Sequence, residues 1–436
     1  MPCPSPIIYN LFPLLAGAIP DWLSHLPRIA RMGFNWIFLN PIFYPGFSGS
    51  LYAVKDYFAL NPLLIRGAEE DPFGALTDFC DQARKQGLLV MLDLVLNHTA
   101  SDSLLVAKHP EWFARNPDGS LTHPSCIDPA DATQVTVWGD LAELEFWPPS
   151  DPEGLLQFFL EVIEFYVAKG VHGFRCDAAY KVPGQFWARL IRESRRLEPT
   201  LCFVAETLGC RLPEIKQLQV AGFDLLYNSS KWWDFQAPWC LEQYRANRKI
   251  APSISFPETH DTARLITEAG GNLAVVRQAY VFAAFFSAGL LMPMGFEYGL
   301  PKKLNVVSTR PEDWYDKQFD LTDFITQVNL MKRGCPVLQE EGPIKRLNKT
   351  GQPVVLLRKT SDHHAGRVLA VINATLLPQE GVTLNLRRLL GNPAGPIQEL
   401  IPKAADFPLP DILKTTLEPA AIRLFYGSGQ DHTDSC

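Results

Sequence analysis

The chain has 436 residues, of which 47% are hydrophobic and 20% charged, and a formal net charge of −7. This is ordinary globular composition with material for a large core. It excludes the basic footprint of a nucleic-acid binder and suits a neutral substrate, so no nucleic-acid partner is expected.

The N-terminus has no basic stretch followed by a cleavable apolar run, and residues 6–9 already read as a strand. The nine cysteines follow no regular spacing and form no C-x-x-C pair, which points to reduced thiols and a cytoplasmic protein. A helical pattern over residues 22–32 leads to a second strand at 35–39. Residues 88–92 form a third apolar run. Helix 155–169 passes through Gly170 into a fourth strand at 173–176. Helix 186–196 precedes strand 201–205, and strands at 223–227, 254–256 and 290–292 complete a set of eight, the last preceded by helix 279–287. The apolar stretch 280–294 is too short to span a bilayer, so no membrane partner is expected. Strands alternating with amphipathic helices predict a parallel sheet, and eight such units predict a closed (β/α)8 TIM barrel.

Two segments fall outside the barrel pattern. Residues 99–147, after the third strand, are rich in Pro, Asp and Trp and predict a short inserted subdomain beside the site. Beyond residue 346, short strands at 354–358, 368–373, 382–386 and 421–426 predict a C-terminal antiparallel β-sandwich. The expected division is therefore a barrel over 1–98 and 148–346, an insert over 99–147 and a sandwich over 347–436, with a polar, frayed tail after Gly427.

Polar clusters end four of the strands: Asp93-Leu-Val-Leu-Asn97-His98, Gly173-Phe-Arg175-Cys-Asp177, Ala205-Glu206, and Phe256-Pro-Glu-Thr-His260-Asp261. The C-terminal mouth of such a barrel is where its chemistry sits. Arg175 and Asp177, two apart on a strand, share a face, so the guanidinium can orient the carboxylate. Glu206 at the rim of an apolar strand suits a general acid. Asp261 reads either as a third functional carboxylate or as a cap for a helix beginning near residue 263, a role for which Thr262 competes.

In this order the four segments resemble the four sequence regions of the alpha-amylase family of glycoside hydrolases and transglycosylases, over nearly the whole chain. The resemblance implies a retaining mechanism, with Asp177 as nucleophile, Glu206 as acid and base, and Asp261 stabilising the oxocarbenium-like state. It implies sugar contacts from Tyr52, His98, Arg175 and His260, support from Asp93 and Asn97 behind them, and α-glucan or maltooligosaccharide partners. Tyr52 lies in Gly49-Ser-Leu-Tyr-Ala-Val-Lys-Asp56-Tyr57, where the family stacks an aromatic on the sugar. Gly139-Asp140-Leu-Ala-Glu143-Leu sits at a variable fifth region, and Gly295-Phe-Glu297-Tyr-Gly299 resembles a motif after the eighth strand. Trp232, Trp233 and Trp239 read equally as outer subsites or core.

Many relatives bind calcium through the position of Asn97 and carry Lys-His where this chain has Tyr180-Lys181. No metal or other cofactor is therefore expected. Asp102, Asp118 and Asp128 are the further oxygen donors that the insert offers. Glu258-Thr259 replaces a more frequent Asn before His-Asp. Residues 109–119 are similar to bacterial maltosyltransferases that use maltose 1-phosphate; those carry an N-terminal extension, whereas this chain opens on the first strand. Three readings stay open: an α-glucan hydrolase, a transglycosylase or maltosyltransferase on the same site, and a non-catalytic carbohydrate-binding relative. Oligomeric state is not legible.

Overall fold

The computed structural model describes residues 5–67, 71, 73–127, 133–401 and 408–429. Asp128 and the end of the tail, from residue 430, lie outside the described residues.

Eight parallel strands close into a barrel in chain order: Ile7–Leu11, Trp36–Leu39, Leu89–Leu94, Gly173–Cys176, Cys202–Ala205, Leu225–Tyr227, Ser253–Ser255 and Gly289–Pro293, the last pairing with the first. Their side chains alternate with period two. Ile8, Trp36, Phe38, Met91, Val204, Tyr227, Ile254 and Leu291 fill the interior as one cluster. Ile7, Ile37, Leu39, Val90, Leu92, Phe174 and Phe203 point outward into the larger core beneath the helices. Each of these large side chains contributes about 1.5–3 kcal/mol by leaving water.

The segment read as one helix over residues 22–32 is instead three short pieces: Ile19–Trp22, a 3-10 turn at Leu23–His25, and Leu26–Arg31. Pro20 and Pro27 each stand in a first turn. Proline has no N–H to continue a ladder, so the helix restarts at each one. After helix Gly154–Val167 the chain passes as expected through Gly170, whose φ is +94°. A side chain there would also come within 2.8 Å of the Cys80 Cβ.

After the third strand, His98–Ala100 pairs antiparallel with Leu141–Glu143, and Ser125–Ile127 with Val135–Val137. The insert thus combines two small ribbons with a short helix, Leu104–Lys108, and a 3-10 turn, Pro110–Trp112, beside the barrel mouth. Leu144 donates its N–H to the Asn97 carbonyl at 3.1 Å, which ties them to the third strand's end.

The C-terminal region is a sandwich. A five-stranded antiparallel sheet runs in the order Ile344–Arg346, Val354–Thr360, Arg367–Asn373, Ile422–Gly427, Ile397–Ile401, and Gln379–Asn385 pairs with Ile412–Leu417. Leu369, Val371 and Phe425 from the first sheet meet Leu384 and Leu417 from the second. Ile344–Arg346, Ile397–Ile401 and Ile412–Leu417 were not among the expected strands. The first has three residues, and in the other two the apolar residues do not alternate along the sequence, Ile412 standing beside Leu413 and Leu400 beside Ile401.

Two buried lysines meet at the end of a barrel helix, and the second of them ties the sandwich to it. Lys332, on helix Thr322–Gly334, donates to the carbonyls of Ala284, Ser287 and Leu338. Lys359, on strand Val354–Thr360, donates to those of Phe285 and Phe286. Helix Leu273–Phe286 has no glycine at its C-terminus, and the lysines take up its last carbonyls, where cations are favoured. Glu341 beside them accepts from the Ala288 N–H at 2.8 Å and from Ser253.

Candidate active site

The barrel's geometry brings the four segments to one mouth. Arg175 and Asp93 are register partners on adjacent strands. The guanidinium Nη1 of Arg175 donates to both Asp93 oxygens, at 2.9 and 3.0 Å, and to Asp177 Oδ1 at 2.7 Å. Its Nη2 lies 3.9 Å from Glu206 Oε2. One buried cation therefore holds three carboxylates from three strands.

Glu206 is 7% exposed. Its Oε2 accepts from the Ala178 N–H at 3.0 Å, and its Oε1 from the Leu208 N–H. Burial, opposed by Arg175 and reinforced by the Asp177 charge, pushes the Glu206 carboxyl up to about 7. Burial likewise pushes Asp93 up to about 7 against the pull of Arg175. A carboxyl so raised is protonated near neutral pH and can give a proton to a leaving oxygen.

The opposite wall is built on Tyr52. Its hydroxyl donates to Asp93 Oδ2 at 2.7 Å, accepts from Asn40 Nδ2 at 3.0 Å, and lies 2.8 Å from His260 Nε2. The two rings are parallel, with centroids 5.7 Å apart. His260 Nε2 is also 3.1 Å from Asp261 Oδ2, on a carboxylate whose side chain is 58% exposed. His98 is buried, its Nδ1 is 3.3 Å from Asn97 Nδ2, and its Nε2 has no protein partner. Burial lowers the pKa of both histidines, so they present neutral imidazoles.

These residues surround a cavity of about 430 Å³, lined by Tyr52, Asn97, His98, Asp177, Glu206 and Asp261 from the expected set. Arg175, His260 and Asp93 do not line it. Arg175 is 2% exposed beneath the carboxylates, with its Nη1 committed to two of them. His260 is 4% exposed behind Tyr52 and Asp261. Arg175 and His260 therefore lie behind the groups that face the cavity and hydrogen-bond to them.

Asp261 caps no helix. The next helix begins at Leu265, and the buried Glu258 carboxylate accepts the Leu265 N–H while pairing with Arg264 at 2.8 Å. Glu258-Thr259 therefore builds a structural ion pair where the family more often has Asn. Glu297 is likewise structural, buried against Arg28 and the Tyr9 hydroxyl. Trp233 packs on Phe235, Phe282 and Phe286, and neither Trp232 nor Trp239 lines the cavity.

The insert supplies cavity residues that strand-end logic does not reach: Pro124, Ser125, Cys126, Trp138, Asp140 and Glu143. The placing of residues 99–147 beside the site pointed to this segment, and the fifth-region stretch Gly139–Glu143 to two of these residues, Asp140 and Glu143.

Calcium takes six to eight oxygens. Asn97 Oδ1 is buried without a partner, and Asp140 and Glu143 line the same cavity. Lys181 lines it too, and its charge lowers the raised Glu143 carboxyl. Asp102 instead pairs with Lys55 at 2.8 Å, and Asp118 accepts from Ser120. Among the described residues the cavity offers few oxygens and places an ammonium beside them, a poor fit to a divalent cation. Outside the cavity, His109, Glu111 and Asp151 converge, but Asp151 already accepts from Trp112 Nε1 and the Gly154 N–H.

The sequence model of the glycogen debranching enzyme, glucanotransferase domain, matches residues 2–116. An alpha-1,4-glucan:maltose-1-phosphate maltosyltransferase of Mycolicibacterium smegmatis is 34% identical over 408 residues, 84% of this chain and 55% of that protein. The enzyme of the same name from Burkholderia pseudomallei is 27% identical over 363 residues, 81% of this chain and 31% of that one. The chain spans between 31% and 58% of the length of the curated relatives it matches. Among solved structures, an alpha-amylase from Lactobacillus plantarum superposes with a TM-score of 0.71 at 22% identity, covering 97% of this chain and 98% of that one. One from Geobacillus thermoleovorans gives 0.75 at 16% identity, covering 98% and 99%. With the barrel and sandwich of those structures, the four motif segments at one mouth and its likeness to the maltosyltransferases, the chain belongs to the alpha-amylase family.

Proposed function

We propose that the protein is a retaining glycosidase acting on α-1,4-linked glucans or maltooligosaccharides through a covalent glycosyl-enzyme intermediate on Asp177. The observation that carries this reading is the sharing of Arg175 by Asp177 and Glu206, with Glu206 raised to about 7. A shared guanidinium keeps the two carboxyls close, as retention requires; retaining enzymes hold them about 5 Å apart and inverting ones wider.

In the first half-reaction, Asp177 Oδ attacks the anomeric carbon as Glu206 protonates the departing oxygen. In the second, Glu206 takes a proton from the incoming hydroxyl, whose oxygen displaces Asp177. His98 Nε2, without a protein partner, and the exposed Asp261 carboxylate are free to bind ring hydroxyls. Arg175, Asp93 and His260 hold the groups that do so. No step calls for calcium, and the reading includes none.

A second reading, transfer of the glycosyl group to a sugar rather than to water, is favoured by the maltosyltransferase relatives and runs on the same residues. Proton NMR of the first product released from maltoheptaose tests the common core. The α-anomer is expected, and initial β-anomer contradicts it.

A further inference from the structure

The barrel interior is apolar in its middle and turns polar at its top. Ile8, Phe38 and Met91 belong to the interior cluster, and two residues further along each chain Asn10, Asn40 and Asp93 take the same face. Arg175 continues this layer beside Asp93. Asn10 and Asn40 are fully buried and do not line the cavity.

Their hydrogen bonds run in one direction. Asn10 Nδ2 donates to the Phe38 carbonyl at 3.1 Å and to Asn40 Oδ1 at 2.8 Å. A carbonyl only accepts, so it fixes which end of the Asn10 amide faces it. Asn40 must then turn its oxygen to Asn10 and its Nδ2 to the Tyr52 hydroxyl, at 3.0 Å. With one N–H accepted, the Tyr52 oxygen has one lone pair and its own proton left. Asp93 Oδ2, at 2.7 Å, takes the proton. The lone pair faces His260 Nε2 at 2.8 Å, and only a protonated ring nitrogen can donate to it. Asp261 Oδ2, 3.1 Å from the same nitrogen, is a second acceptor for that N–H. Tyr52 stacks on the imidazole, and Phe12 and Phe38 flank it.

We propose that Asn10 and Asn40 are positioning residues: they direct the Tyr52 hydroxyl so that His260 carries its proton on Nε2 and holds Asp261. Neither asparagine touches substrate. The Phe38 carbonyl on the second strand thereby sets the tautomer of an imidazole that follows the seventh. A proton on Nδ1 instead would turn the bare Nε2 lone pair toward the oxygens of Tyr52 and Asp261, and the Asp261 carboxylate would lose its donor. The consequence for turnover rests on the double-displacement reading above.

The test has two arms, both on the full chain. In the first, long-range proton–nitrogen NMR spectra of protein labelled with 15N-histidine are recorded at pH 8, with His260→Gln identifying the His260 signals. At that pH Asp93, pushed up by burial to about 7, is ionised and accepts from Tyr52, and burial keeps His260 neutral. The Nε2–H form is expected in wild type, and the Nδ1–H form overturns the proposal. In the second arm, turnover of α-maltosyl fluoride is measured for Asn40→Leu, Tyr52→Phe and the double variant. Asn40→Leu should lower kcat about tenfold or more where Tyr52 is present, and less than about twofold where Tyr52→Phe has removed the hydroxyl. Additive losses, or no loss in Asn40→Leu, mean that Asn40 only fills space and overturn the proposal. A wild-type chain that releases no fluoride contradicts the double-displacement reading instead, and the first arm still decides the tautomer.

Discussion

Two clusters of buried charge in this molecule are built by opposite rules. At the sandwich junction, Lys332 has three carbonyl partners and Lys359 two, and Glu341 is hydrogen-bonded at both oxygens. None of their polar atoms is orphaned. At the barrel mouth, three carboxylates crowd one guanidinium, and Asn97 Oδ1, His98 Nε2 and Arg175 Nε are buried with no protein partner. Buried polar atoms are normally satisfied, so a concentration of unsatisfied ones beside raised carboxyls marks a place built to meet a ligand. The junction spends its charges on holding two layers together; the mouth keeps groups in reserve for a substrate.

The sharpest way to break the comparison is to remove one charge from each cluster. Asp177→Asn should lose turnover on natural substrates by about 10⁴-fold or more, because the covalent step has no other nucleophile. Near-normal turnover, measured by reducing-end assay, would show that the mouth is merely another ion-pair network. Glu206→Gln should lose about 10²–10⁴-fold on poor leaving groups, while an activated fluoride still glycosylates Asp177. In wild type, kcat/KM should fall as pH rises through about 7, as Glu206 gives up its proton.

At the junction, Lys332→Met leaves three buried carbonyls without a donor and should cost about 2–4 kcal/mol in denaturant unfolding. An unperturbed unfolding curve would mean the carbonyls find other partners.

Much of this contrast was legible in the sequence, but unevenly. The eight strands and their polar ends follow from local pattern, and so does the Arg175–Asp177 pairing, since both lie on one strand. The apolar period over 22–32 predicts one helix, whereas Pro27 has no N–H to continue the ladder and the helix restarts there. The depth of Arg175 and His260 behind the cavity wall follows from packing: Arg175 is drawn under by Asp93, its partner across the third and fourth strands and distant in sequence. The cavity face of the insert and the lysine capping of helix Leu273–Phe286 arise from contacts more than 40 residues apart, which no local period encodes.

Smaller effects sharpen the picture. The Glu206 pKa is raised in the folded state, so the folded protein holds an extra proton between about pH 4.5 and 7. Its contribution to stability is therefore lost as pH rises through about 7. Glu206→Gln should stabilise the chain by roughly 3 kcal/mol at pH 8 and by little at pH 4. Melting scans at the two pH values check this, and an equal change at both contradicts the raised pKa. Dialysis against a strong chelator should leave melting temperature and activity unchanged, and recovery only on adding calcium would contradict the poor fit of Lys181 to a metal site.

The central claim is that the carboxylates at the mouth pass a glycosyl group through Asp177. Mass spectrometry of peptides from Glu206→Gln, quenched after incubation with α-maltosyl fluoride, tests it most directly. A maltosyl adduct on the peptide bearing Asp177, absent in the Asp177→Asn, Glu206→Gln double variant, is the predicted result. Fluoride release with no adduct on that peptide, or an adduct on another residue, would contradict the account.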